Sequence, residues 1–222
     1  MTGMASSETQ AARMMMVDSQ VRPNKVTDPA LIAAMRKLPR EDFVPAALAA
    51  RAYADEPVRL GGDRVMLEPM VLARMLQIAA IVPGEKWLVV AAGGGYGAAL
   101  LAELGCVVTA LEDDEALLIT ARKALAVHAP AVVLAEGPVA AGWQASAPYD
   151  GILIEGGVEE LPDAFARQLS SQGRLLMLRP AAGRTGQAVT GRLSGGAFNF
   201  ITAFDCATTS LPAFRRQPAF VF

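Results

Sequence analysis

The stretch KWLVVAAGGGYGAALLAELGCVVTALE, residues 86–112, is the part of the chain from which we predict the fold. It begins with a continuous apolar run, Trp87 to Ala92, which has the length of a strand buried on both faces of a parallel sheet. A glycine-rich turn follows, and Ala98 to Leu104 is a short apolar helix. Val107 to Leu111 is a second buried strand. The stretch therefore predicts a strand, a tight turn, a helix and a second strand.

The same alternation continues towards the C-terminus. Further elements are predicted as a helix over 115–126, strands over 132–135 and 149–154, a helix over 162–169 and a strand over 175–178. Strands that alternate with helices at this spacing indicate βαβ units and a parallel sheet. The tracts QAVTGRLS and AFNFITAF flank Gly195-Gly196, which is typical of an antiparallel hairpin, here at the edge of the sheet.

The N-terminal part is predicted to be mainly helical. Asp28 is a candidate N-cap, with Pro29 at the first helical position. Residues 57–66 contain two adjacent glycines and predict a turn or short hairpin, and a further helix is expected over 70–80. We expect residues 1–15 to be disordered and residues 16–222 to form one domain. Its predicted parts are an N-terminal helical region (16–82), a core (83–180), and a hairpin and tail (181–222).

Composition narrows the class of protein. The chain has 222 residues, of which 53% are hydrophobic, and its formal net charge is −2. This balance suits one domain with a large core and argues against nucleic-acid binding, which would need a basic face. Two distant cysteines and one histidine predict reduced thiols and no zinc cluster. No apolar run is long enough to cross a bilayer and no secretory core is present, so we expect a cytoplasmic protein without membrane association.

The turn AAGGGYG, residues 91–97, is the candidate ligand site. A glycine-rich turn between a strand and a helix lets backbone N–H groups approach a ligand closely. Glu112 ends the next strand, where an acid can accept hydrogen bonds from the ribose hydroxyls of an adenosine cofactor. The structural alternative is a tight turn that only packs a helix. Gly93, Gly95 and Ala98 also fit the dinucleotide pattern G-x-G-x-x-G/A, so a nicotinamide-dependent enzyme is a second, weaker hypothesis.

An ordered set of tracts makes the chain resemble the protein-L-isoaspartate O-methyltransferase family over about residues 16–180. Besides the glycine turn with Tyr96, the tracts are MVDSQVRPNKVTDPALIAAM (16–35), LPREDFVP (38–45), AYADEPVRLGG (52–62), EPMVLARML (68–76), GWQASAPYDGILI (142–154) and EELPDAFARQLSSQGRLL (159–176). The resemblance implies the seven-stranded, mostly parallel, Rossmann-like α/β sheet of S-adenosylmethionine-dependent methyltransferases. N-terminal helices and the C-terminal antiparallel hairpin would complete that fold.

The resemblance also implies an activity. The family transfers a methyl group from S-adenosylmethionine to the free carboxylate of an L-isoaspartyl residue in damaged proteins or peptides. Such a carboxylate is already ionised at pH 7, so the reaction needs alignment more than acid–base machinery. By resemblance, the cofactor-binding positions are Ala91, Gly93, Gly95, Tyr96, Glu112 and Gly137.

Four positions depart from the family pattern. Val89 stands where the first strand usually ends in an acid, and Ala91 replaces the first glycine of the turn. Gly137-Pro138 replaces part of a Gly-Asp-Gly tract whose acid faces the adenine. Leu67 occupies the position of a hydroxyl residue that touches substrate and cofactor, so no catalytic residue is assigned. These departures predict weakened or lost cofactor binding and leave open an alternative, a catalytically impaired protein with a binding or regulatory role.

Overall fold

The computed structural model describes residues 2–181 and 184–216. The N-terminal part contains helix α1 (Thr2–Met16), a π-helical turn (Val17–Val21), 3-10 turns (Arg22–Asn24, Arg40–Phe43 and Ala46–Arg51), helix α2 (Pro29–Lys37), strands β1 (Val58–Gly61) and β2 (Arg64–Met66), and helix α3 (Pro69–Ala79). The Asp28 side chain accepts hydrogen bonds from the backbone N–H groups of Ala30 and Leu31, which confirms it as the N-cap of α2.

The remaining elements form the α/β core. They are β3 (Lys86–Val90), α4 (Tyr96–Glu103), β4 (Val107–Glu112), α5 (Glu115–His128), β5 (Val133–Glu136), β6 (Tyr149–Gly157), α6 (Ala164–Gln168), β7 (Leu169–Ala181), β8 (Arg184–Ser194) and β9 (Ala197–Cys206), with short 3-10 turns at Val139–Ala141, Gln144–Ser146 and Pro212–Phe214.

Seven strands form one sheet in the order β5-β4-β3-β6-β7-β8-β9. Neighbours from β5 to β7 pair in parallel, and β8 and β9 add to the edge in antiparallel register. Gly195 and Gly196 both have positive φ, as the tight turn between β8 and β9 requires. The predicted seven-stranded, mostly parallel α/β sheet with its terminal hairpin is confirmed.

Alternate residues of β3 enter two separate hydrophobic cores. Trp87 and Val89 pack in one core with α3 and α4, whereas Leu88 and Val90 pack in the other with β6 and β7. Burial on both faces explains why this strand is a continuous apolar run rather than an alternating one. None of the helices in the described ranges is long and apolar enough to cross a membrane.

The N-terminus differs from the expectation of disorder, because residues 2–16 form α1. The segment TGMASSETQAARMMM contains mostly residues that favour helix. Its C-terminal end continues into the π-helical turn, where Val17 and Val21 are fully buried. The Arg13 guanidinium also donates to the carbonyl of Lys37 at 2.6 Å. The predicted division of the chain at residues 82 and 180 stays a prediction. The last six residues of the predicted tail, 217–222, lie outside the described part of the chain.

Candidate cofactor site

The candidate site lies at the carboxyl ends of the central strands. Strand β3 has β4 on one side and β6 on the other, so the connections leave it in opposite directions. In open α/β sheets, ligands bind in the crevice at such a point. The glycine turn follows β3 here, Glu112 ends β4, and Glu155 lies near the end of β6.

The turn holds three residues in left-handed backbone conformation. The φ angles are 54° at Ala91, 55° at Gly93 and 90° at Gly95. Two glycines accept this geometry readily, but a Cβ in the left-handed region costs roughly 1–2 kcal/mol. The turn has therefore kept the conformation that glycine would favour at position 91, and the alanine there is strained.

Glu112 is fully buried and is bound by the backbone around it. Its Oε2 accepts the N–H of Gly93 at 2.8 Å, and its Oε1 accepts the N–H groups of Asp113 at 2.9 Å and Asp114 at 3.1 Å. The acid predicted to receive the ribose and the turn predicted to receive the cofactor are thus in direct contact.

Arg64, the first residue of β2, completes the coordination of Glu112. Its Nε lies 3.0 Å from Oε1 and 3.3 Å from Oε2 of Glu112, and its Nη2 donates to Asp113 Oδ1. The arginine side chain is only 6% exposed. A carboxylate offers about four lone-pair sites, and here they meet four N–H donors. Both oxygens of Glu112 are therefore paired, and a ligand that hydrogen-bonds to Glu112 in this conformation would compete with Arg64.

The rest of the turn is also covered by the protein. A Cβ added to Gly93 would lie 2.8 Å from Leu60 Cδ1, and one added to Gly94 would meet the backbone oxygen of Phe43. Every residue from 91 to 100 is buried. The acid and the left-handed turn are the groups that an adenosine cofactor needs, and the side chains of Leu60 and Arg64 and the backbone of Phe43 lie directly against them.

We call Leu60, Arg64 and Phe43 the cover of the site. Tyr96 lies beneath this cover and links the turn to the N-terminal region. Its ring meets Phe43 edge to face at 5.4 Å between centroids, and the Arg40 guanidinium lies 4.7 Å from the ring centroid. Arg40 is fully buried and donates to the carbonyls of Ala52 at 2.7 Å and Leu67 at 2.9 Å. It thereby fixes two N-terminal loops against the site.

Glu155 is a second buried acid in the crevice. Its carboxyl carbon lies 3.0 Å from the position of a Cβ at Gly97. Within the described residues, Glu155 Oε1, Tyr96 Oη and Arg40 Nη1 are buried without a hydrogen-bond partner. Burial, and to a lesser degree the charge of Glu112, raises the pKa of Glu155 to about 8, while Arg40 opposes that rise. From the sequence, this acid is expected near the ligand edge of the sheet but exposed to solvent; the structure shows it buried, with 3% exposure.

The structure also shows the contacts of the other positions singled out from the sequence. Leu67 is buried, and only its backbone oxygen makes a polar contact, to Arg40. Val89 is buried inside β3. The Gly137 N–H donates to the carbonyl of Glu112 at 3.1 Å, and Trp143 packs against its open face. The positions predicted to contact the cofactor thus lie around Glu112 and the turn, whereas Leu67 presents no reactive group. No metal-binding cluster of His, Cys, Asp and Glu occurs among the described residues.

Three residues of the cover, Arg64, Leu60 and Phe43, were not identified from the sequence. A signal was present for one of them. Arg64 lies two positions after the Gly61-Gly62 turn and opens the apolar tract RVML. An arginine in a strand whose three residues are all buried must have an anionic partner, but the sequence does not show which one.

Comparison of the sequence with known proteins identifies relatives of this chain. The sequence profile of the family described as Protein-L-isoaspartate(D-aspartate) O-methyltransferase (PCMT) matches residues 11–190. A protein-L-isoaspartate O-methyltransferase of Methylorubrum populi is 42% identical over 178 residues, which cover 80% of this chain and 84% of that protein. One of Methanoregula boonei is 38% identical over 178 residues, covering 80% of this chain and 81% of that protein.

Solved structures support the fold. A protein-L-isoaspartate O-methyltransferase superposes with a TM-score of 0.76 at 19% identity, covering 93% of this chain and 67% of that one. A Plasmodium falciparum protein assigned to the same enzyme type, in complex with S-adenosyl-L-homocysteine, superposes with a TM-score of 0.75 at 16% identity, covering 90% of this chain and 98% of that one. With the profile match and the relatives at about 40% identity, these results show that the chain belongs to the protein-L-isoaspartate(D-aspartate) O-methyltransferase family.

Proposed function

We propose that this protein transfers a methyl group from S-adenosylmethionine to the free carboxylate of an L-isoaspartyl residue in a protein or peptide. The observation that carries the proposal is the match to the family over residues 11–190. The contact between Glu112 and the N–H of Gly93 supports it, because it joins the two groups that such a cofactor requires. The comparisons give no support to the catalytically impaired alternative.

The residues that would hold the cofactor are Gly93, Gly95 and Glu112, with Ala91, Tyr96 and Gly137 beside them. When bound, S-adenosylmethionine supplies a methyl group on a positively charged sulfur that is a good leaving group. The protein's own contribution is to position the acceptor and exclude water, which can supply on the order of 7–11 kcal/mol when the alignment is good. The acceptor carboxylate is already ionised at pH 7, so the reaction needs no general base from the crevice.

The test is a methylation assay with radiolabelled S-adenosylmethionine. One peptide carries an L-isoaspartyl residue, and a control peptide has the same sequence with ordinary aspartate. We expect labelled methyl ester on the first peptide only. Equal, background-level labelling of both peptides contradicts the proposed substrate.

A matched pair of variants tests the cofactor acid. Glu112 ends β4 and pairs in register with Glu136, the last residue of the neighbouring strand β5, which is exposed. We expect Glu112→Gln to lower methylation at least tenfold and Glu136→Gln to leave it unchanged. An equal effect of the two substitutions would remove Glu112 from the cofactor site.

The cytoplasmic location of the protein remains a prediction from the sequence.

A further inference from the structure

We propose that Arg64 is an internal latch that occupies the cofactor's place at Glu112, so that the cofactor binds only when the β1–β2 hairpin releases this arginine. The inference rests on the proposed function, because it concerns regulation of the same site. It goes beyond that function by naming the residue that sets the cofactor affinity of this chain.

The first step in the argument is the chemistry of the contact. Ribose hydroxyls would approach Glu112 as hydrogen-bond donors, and Arg64 Nε already donates to both carboxylate oxygens, at 3.0 and 3.3 Å. Arg64 Nη2 also donates to Asp113, the residue that follows. Both the arginine and the ribose satisfy the same acceptors, so they cannot be bound to Glu112 together.

The second step is that one structural unit, the β1–β2 hairpin, carries the two side chains that cover Glu112 and Gly93. Leu60, which lies against Gly93, is in β1, and Arg64 is the first residue of β2. The Arg64 Nη1 contact to the carbonyl of Gly62, at 3.5 Å, keeps the arginine within its own hairpin. A displacement of this hairpin would therefore uncover Glu112 and Gly93 together, while the Phe43 backbone, which belongs to a separate 3-10 turn, would stay beside Gly94.

The third step is that, among the described residues, the hairpin shares no strand pairing with the main sheet. Strands β1 and β2 pair only with each other in the described part of the chain and form a separate two-stranded sheet. Two-stranded hairpins are marginally stable on their own, so this one is held in place by the packing of Val58, Val65 and Met66 in the core and by the Arg64 contacts. Their connection contains Gly61, Gly62 and Asp63, all with positive φ, and the pairing is irregular between Arg59 and Gly61. Movement of this unit would leave all seven strands of the large sheet intact.

The energetic balance explains why the latch holds. Glu112 and Arg64 are both buried, and a buried carboxylate without its partner is strongly unfavourable. In the absence of cofactor, the arginine compensates that charge. The apparent affinity of a ligand that binds only the released state equals its intrinsic affinity multiplied by the fraction of molecules in that state. If fewer than about a tenth of the molecules are open, removing the latch raises the affinity at least about tenfold.

Calorimetric titration with S-adenosylhomocysteine tests the latch. We expect Arg64→Met, which keeps the length of the side chain and removes its donors, to bind this ligand at least tenfold more tightly than the wild type. Arg59→Met is the matched control, because Arg59 lies in the same hairpin, carries the same charge and is exposed. We expect the control to bind like the wild type. Binding of Arg64→Met within twofold of the wild type, including no detectable binding by either, overturns the proposal.

A second variant covers the case in which Arg64→Met does not fold, as judged by circular dichroism. Arg64→Lys keeps a cation beside Glu112 but loses the planar fork that reaches Asp113. We expect a smaller gain in affinity, threefold or more, and no gain would overturn the latch. Failure of the proposed function looks different: Arg64→Met would bind the ligand more tightly, yet no isoaspartyl peptide would be methylated.

Discussion

Glu155 occupies the space that a side chain at Gly97 would fill. Its carboxyl carbon lies 3.0 Å from the position of a Cβ at residue 97, and both residues are buried. Gly97 is in the first turn of α4, where alanine would favour the helix by about 1 kcal/mol. A side chain at position 97 would therefore clash with the acid across the crevice.

We therefore expect Gly97→Ala to destabilise the protein by about 1–3 kcal/mol, the usual range for overpacking a core. In a Glu155→Ala background, the same substitution should be neutral or stabilising, because the obstructing carboxyl group is gone. Urea unfolding of the four proteins in this double-mutant cycle measures the coupling. Equal effects of Gly97→Ala in both backgrounds would show that the two residues do not compete for space.

The raised pKa of Glu155 predicts a specific dependence of stability on pH. The carboxyl group keeps its proton in the folded protein up to about pH 8 but loses it near its ordinary value of 4.5 in the unfolded chain. Between these values, the folded state binds more protons, so its stability falls as pH rises, by up to about 1.4 kcal/mol per pH unit. Glu155→Gln does not titrate, so its stability relative to the wild type should rise across this window.

Thermal unfolding from pH 4.5 to pH 8 measures this difference. Glu160→Gln is the control, because Glu160 lies just beyond β6 and is exposed. Its difference from the wild type should stay flat over the same range. A flat difference for Glu155→Gln as well would mean that Glu155 is ionised in the folded protein.

The strain at Ala91 should be relieved by substitution. With φ of 54°, this residue is in the left-handed region, where a Cβ is unfavourable. Ala91→Gly removes that strain but makes the unfolded chain more flexible, so we expect a net stabilisation of about 1 kcal/mol. Ala92→Gly, one residue later and not at positive φ, should instead destabilise the protein. Urea denaturation compares the two, and a loss of stability in Ala91→Gly would contradict the assigned conformation.

The buried hydroxyls of Tyr96 and Tyr149 should respond oppositely to removal. The hydroxyl of Tyr149 donates to the carbonyl of Trp143 at 2.7 Å, whereas that of Tyr96, beside the Arg40 guanidinium, makes no hydrogen bond of good geometry among the described residues. Tyr149→Phe should cost about 1 kcal/mol, while Tyr96→Phe should be neutral or stabilising, because an unpaired buried polar group is itself unfavourable. Thermal unfolding checks both, and a clear loss in Tyr96→Phe would mean that its hydroxyl has a partner.

The order of strands and helices from residue 86 onwards could be predicted because each element has its own local signal. Strand β3 is a continuous apolar run, and two adjacent glycines form the turn between β8 and β9. The N-cap at Asp28 is similarly local. These features depend on a few neighbouring residues, so the sequence pattern contains them.

The cover of the site could not be predicted because it depends on contacts between distant segments. Arg64 and Glu112 are 48 positions apart, and nothing near either residue specifies their pairing. Glu155 and Gly97 are likewise brought together only when β6 packs beside β3. The helix over residues 2–16 also has distant contacts, since its continuation buries Val17 and Val21 and its Arg13 donates to the carbonyl of Lys37.

The four donors around Glu112 have a thermodynamic consequence for any ligand at that acid. Because the carboxylate is already satisfied, binding is an exchange of one set of hydrogen bonds for another, not an addition of new ones. The heat released at this position should be small, and the favourable free energy must come from surface that the ligand buries elsewhere and from the freedom regained by the arginine side chain. An affinity measured on this protein is accordingly a difference between two well-paired states of one buried charge.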